Sequence, residues 1–71
     1  MAAMDNGYRV GMEESASGWT VHIVAPDGHG VFQRACADEV EARTFASTVR
    51  QHIGWLSPEK FRQYYRLPEP A

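Results

Sequence analysis

Cys36 is the single thiol of the chain and stands just before a run of helix-forming residues. A helix N-terminus carries partial positive charge and can hold a thiol as its reactive thiolate. Here Asp38, Glu39 and Glu41 crowd the same start, and negative charge opposes the thiolate. Cys36 is therefore expected as a small packed residue with no catalytic role. His22, His29 and His52 complete the set of soft ligands, but no C-x2-C or H-x3–5-H pair is present. Zinc sites are built on such short spacings, so no metal and no cofactor are expected. His52 reads as a cation near a helix C-terminus, and His29 as a polar turn residue. Glu13 and Glu14 fall in a turn, and Glu39 and Glu41 at a helix start. Neither pair has a reason to be desolvated, as a general acid or base usually must be. Gly28-His29-Gly30 leads into a strand, whereas a phosphate cradle leads into a helix. The chain is expected not to be an enzyme.

Charge and aromaticity carry more information. The whole chain has seven Lys and Arg against nine Asp and Glu, a net charge of −2. That balance excludes a general polyanion binder. The charges are segregated, however. Residues 1–42 hold two arginines and seven acids, whereas residues 43–66 hold Arg43, Arg50, Lys60, Arg62 and Arg66 against Glu59 alone. Phe61-Arg62-Gln63-Tyr64-Tyr65-Arg66 interleaves rings with guanidinium groups. One use of such a segment is to finish a core with solvated arginines outside. A second is protein–protein contact, since Tyr, Trp, Phe and Arg are enriched at interface cores. A third is nucleic-acid contact through an Arg43/Arg50/Arg62/Arg66 face, with arginines on phosphates and rings on bases. The second is the expectation: a small non-enzymatic interaction module that works as a homodimer or on a small protein partner. Its contact residues are Trp55, Phe61, Arg62, Tyr64, Tyr65 and Arg66. The rings and leucines from Trp55 to Leu67 exceed what a core of this size is expected to enclose; the hinge Gly54-Trp55-Leu56-Ser57-Pro58 allows the last helix to be exchanged between two copies, and the competing arrangement folds it back on its own chain.

The elements that position these residues follow from periodicity. Tyr8, Val10 and Met12 alternate with polar residues, as a half-buried strand requires. Trp19, Val21, Ile23 and Ala25 line one face of a second, β-branched strand. Pro26-Asp27-Gly28-His29-Gly30 is a turn, and Val31 to Cys36 a third strand. Its inner face is open between Phe32 with Cys36 and Val31 with Ala35. Asp38 with Glu41 then forms an Asp version of the capping box. Ala42, Phe45, Ala46, Val49, Ile53 and Leu56 make one helical stripe ending near Gly54, the expected C-cap. Ser57-Pro58 restarts a helix that runs to about Arg66.

The fold class is α+β, in the order β-β-β-α-α. A three-stranded antiparallel meander carries one helix packed across one face, followed by a short C-terminal helix. The 71 residues form one small domain, with 1–7 and 68–71 as frayed tails. Trp19, Val21, Ile23, Phe45, Val49 and Ile53 are expected at its centre. No stretch approaches the roughly 18 apolar residues of a membrane span, and Met1 to Gly7 lack the basic and apolar regions of an export signal. A soluble, cytoplasmic domain is expected.

Overall fold

The computed structural model describes residues 5–68. It contains strands β1 (Arg9–Ser15), β2 (Gly18–Val24) and β3 (Gly30–Cys36), then helices α1 (Glu39–Trp55) and α2 (Pro58–Tyr65). The strands form one antiparallel sheet in the order β1-β2-β3. The β-β-β-α-α order and the α+β class are as the periodicity predicts.

The β1–β2 hairpin closes over Ala16 and Ser17, with Ser15 paired to Gly18. Gly18 has φ +137, and a Cβ there would lie 2.8 Å from the Cys36 carbonyl oxygen. Only glycine meets both demands. In the β2–β3 turn, the Ala25 carbonyl accepts from Gly28 N–H at 2.9 Å, and Ala25 N–H donates to the His29 carbonyl at 2.8 Å. The Asp27 carboxylate accepts from His29 N–H at 3.0 Å, a local turn that Asp favours. The β1–β2 register is unbroken over seven pairs. Between β2 and β3 it shifts at Ile23/Val24, leaving Val31 as the extra residue of a bulge.

Register settles the inner face of β3. Trp19, Val21 and Ile23 pair with Cys36, Arg34 and Phe32. Cys36 is buried and Phe32 half-buried. Arg34 shares this face, and its guanidinium lies 4.7 Å from the centre of the Phe45 ring. Val31 also touches the core, because the bulge releases it from strict alternation.

Asp38 caps α1 by accepting from Glu41 N–H at 2.9 Å, and the Glu41 carboxylate accepts from Ala37 N–H at 2.7 Å. The far end differs from expectation. The helix runs through Gly54, and its C-cap is Leu56 in extended backbone. Asn6 supplies what a glycine cap would otherwise provide. Its backbone N–H donates to the Ile53 carbonyl at 3.2 Å and its side-chain amide to that of Leu56 at 3.1 Å. Its side-chain oxygen accepts from Tyr8 N–H at 3.0 Å. Asn6 is buried, so this part of the expected N-terminal tail is docked. Asp5, Gly7 and Pro68 of the expected tails are exposed, and residues 1–4 and 69–71 lie outside the described residues.

Of the predicted core, Val21, Ile23, Val49 and Ile53 are buried. Trp19 and Phe45 are only half-buried. The reason is the placement of α1, which packs chiefly on β1 and β2 and only slightly on β3. Phe45 therefore faces a thinly covered strip and stacks on Phe32 at 6.0 Å. Phe61 of α2 takes the central place and is fully buried, with Tyr8 beside it at 4.8 Å.

Candidate functional site

Helix α2 starts where Ser57 caps it, accepting from Lys60 N–H at 3.2 Å, with Pro58 in the first turn. It ends at Arg66, which adopts left-handed backbone, φ 57 and ψ 46. Between these caps α2 lies on its own chain. Phe61 is buried, and Tyr65, Leu56 and Leu67 pack half-buried against the core. Tyr65 meets Phe61 at 4.9 Å and Phe32 edge-on at 6.0 Å. Part of the aromatic surface expected to be spare is thus used within the chain, through Phe61 and part of Tyr65. Of the six expected contact residues, Phe61 belongs to the core and Tyr65 partly so.

Two large rings remain outside. Trp55 is 75% exposed and Tyr64 62% exposed. His52 lies between them in the layout: it is one turn before Trp55 on α1, and its ring is 4.5 Å from that of Tyr64. His52 Nδ1 is 2.6 Å from the Tyr65 hydroxyl. With the ring proton on Nε2, the hydroxyl donates to Nδ1. Burial pushes the Tyr65 hydroxyl up to about 12, with a smaller push from neighbouring Tyr64. The result is an aromatic strip in which His52, half-buried, meets Tyr64 and Tyr65, and exposed Trp55 stands one turn further along α1. Arg66 is exposed just beyond it.

The arginines named from sequence do not act alike. Arg43 pairs with Glu39 one turn earlier on α1. Arg50 lines a shallow cleft with Asp5, Arg9 and Val10 beside β1. Arg62 is half-buried, with Nη1 3.5 Å from the Tyr8 hydroxyl. Arg62 and Tyr8 also line an apolar groove of about 510 Å³ between α2 and the β2–β3 turn, walled by Pro26, Val31, Pro58 and Pro68. Asp27 and His29 stand at its rim, 3.1 Å apart. The His29 backbone N–H, and then its ring, hold the Asp27 carboxyl below its usual range. Sequence reading missed this groove, because residues 26, 58 and 68 meet only through the packing of α2.

The residues singled out for chemistry are dispersed. Cys36 is buried, with its sulfur 4.0 Å from the Arg34 carbonyl. The His22 ring lies over Gly11, where a Cβ would come within 2.6 Å of its Nε2. Among the described residues, no three His, Cys, Asp or Glu side chains gather as a metal site would require. No described helix is long and apolar enough to cross a membrane.

Comparison with known proteins finds no matching family, no matching curated protein and no matching solved structure.

Proposed function

We propose that this chain is a small, non-enzymatic protein–protein interaction module whose contact surface is the aromatic strip at the α1–α2 junction, with Arg66 at its basic border. The partner is a second copy of the chain or a small protein. The observation that carries the reading is the exposure of Trp55 and Tyr64. Rings of this size supply much of the binding energy at interfaces when a partner removes them from water. Tyr64 is also held in place, since its ring meets that of His52 at 4.5 Å and His52 is tied to Tyr65. A pre-set surface loses less conformational freedom on binding. The engagement of Arg43 by Glu39 and of Arg62 beside Tyr8 leaves less basic surface for a nucleic acid.

The test is sedimentation equilibrium over a hundredfold concentration range, together with gel mobility of random-sequence DNA at low salt. Self-association or capture of a small protein, lost on Trp55→Ala with Tyr64→Ala while circular dichroism is unchanged, supports the reading. A salt-sensitive shift of the DNA, lost on Arg62→Ala with Arg66→Ala, would replace it by the nucleic-acid reading.

A further inference from the structure

The sheet has two outer strands, β1 and β3, and they differ as edges. Edge strands offer unpaired backbone groups, and proteins blunt them with bulges, prolines or charges. β3 carries the bulge at Val31, and its one charged residue, Arg34, is turned onto Phe45. β1 has no bulge and pairs with β2 without interruption. Its charges are arranged in a particular order. Around Gly11 the strand reads Arg9-Val10-Gly11-Met12-Glu13. Over these five residues a positive end and a negative end flank an uncharged centre, and Glu14 follows beyond them on the opposite face to Glu13.

We infer that a second copy of this chain docks antiparallel on the outer edge of β1, about a two-fold axis at Gly11. That register sets Arg9 opposite Glu13 of the other copy, twice by symmetry. It also sets Val10 opposite Met12, and Gly11 opposite Gly11. Opposite charges directly across an antiparallel pair are favourable, and like charges are not. The same charges that would deter most foreign strands therefore select this one. Side-chain alternation agrees with the register. Arg9, Gly11 and Glu13 share the face away from the helices, and Val10 and Met12 share the helix side. Val10 and Met12 pack against the core yet stay half-buried. A second β1 would cover the rest of them. Two sheets then become one of six strands with all helices on one side.

This edge is distinct from the Trp55–Tyr64 strip, and the inference does not rest on that strip being a contact surface. The experiment accordingly uses the Trp55→Ala/Tyr64→Ala chain as well as the wild type. Sedimentation is measured from about ten to several hundred micromolar, since a single paired edge falls at the small end of specific interfaces. For both chains the expected association unit is twice the 8.0 kDa monomer mass. Arg9→Glu or Glu13→Arg alone opposes like charges at both ends and is expected to weaken the dimer on the order of tenfold or more. The combined Arg9→Glu/Glu13→Arg chain restores opposite charges and is expected to recover it. Circular dichroism verifies that every variant is folded. A dimer lost in the Trp55→Ala/Tyr64→Ala chain places self-association on the aromatic strip and overturns the β1 inference while upholding the proposed contact surface. Equal weakening by the single and combined charge variants overturns it too, as does a mass that keeps growing with concentration, which is the mark of β1 meeting β3.

Discussion

Phe61 and Phe45 are both rings on helices, yet their surroundings give them different weights. Phe61 is fully buried beside Tyr8 and Tyr65, whereas Phe45 is half-buried under the Arg34 guanidinium. Phe61→Ala is expected to cost about 3–5 kcal/mol, the range for a fully buried ring. That is much of the stability of a small domain. Phe45→Ala is expected to cost about half as much, in proportion to the area it buries. Urea unfolding of the two variants checks the order, and a larger loss at Phe45 would mean that α1 sits closer to β3. Asn6 is a smaller residue with a large polar role. It serves the Ile53 and Leu56 carbonyls and Tyr8 N–H. Asn6→Ala keeps the backbone bond but strands two side-chain partners, at an expected cost of about 1–3 kcal/mol. The same unfolding assay measures it, with exchange of the Tyr8 amide as the local readout. Tyr65 adds a pH dependence. Its hydroxyl titrates near 12, above the usual value of about 10. A folded-state value raised in this way gives stability that is fully present below about pH 10 and is lost as pH climbs toward 12. Alkaline unfolding is therefore expected to be steeper in the wild type than in Tyr65→Phe, as followed by circular dichroism against pH.

At the scale of elements, what the sequence disclosed and what it hid divide along local and long-range causes. The three strands, both N-caps and the helical stripe are set by neighbours a few residues apart, so alternation, the Asp38–Glu41 spacing and Ser57-Pro58 revealed them. The end of α1 was not legible. Its carbonyls are served by Asn6, about fifty positions away along the chain, and Gly54 is an ordinary helical residue. Phe45 and Trp19 lie off the centre of the core for a similar reason, since no local pattern says that α1 packs more on β1 and β2 than on β3, or that Phe61 of α2 is fully buried. The six residues expected at a contact fall into buried and exposed sets that the sequence does not separate. Period places Phe61 and Tyr65 one turn apart, and only the fold of α2 onto Tyr8 and Phe32 separates them from exposed Tyr64. The end of α2 yields an element-scale prediction. Arg66 is the one non-glycine residue with positive φ among the described residues. Left-handed backbone is unfavourable for a residue with a Cβ and favoured at helix ends for glycine. Arg66→Gly is expected to raise stability by about 0.5–1 kcal/mol, read as a higher urea midpoint with unchanged slope. A lower midpoint would show that the Arg66 side chain contributes more than its backbone strain costs.

For the whole molecule, the proposed β1 pairing makes stability a matter of concentration. A chain of 71 residues buries only about 60% of the surface its unfolded form exposes. Here the uncovered part includes the half-buried Val10 and Met12 along β1. A second copy that binds only the folded chain draws the folding equilibrium toward the folded form by mass action. If unfolding and dissociation occur together, a tenfold rise in concentration adds about 1.4 kcal/mol per dimer, or half of that per chain. For a domain this small, that raises the melting temperature by roughly 3–5 °C. The wild type is expected to show this rise between ten and several hundred micromolar, as followed by circular dichroism at a fixed scan rate. Glu13→Arg is expected to show a smaller rise, displaced to higher concentration, because like charges would face each other at both ends of its β1 pair. Adding Arg9→Glu is expected to bring the slope back. The Trp55→Ala/Tyr64→Ala chain is expected to keep the wild-type slope, since those rings are exposed on the helices and the proposed pairing uses the outer edge of β1. A melting temperature independent of concentration in the wild type would mean that the single chain carries all of its own stability, and the two-fold β1 sheet would then be excluded over that range.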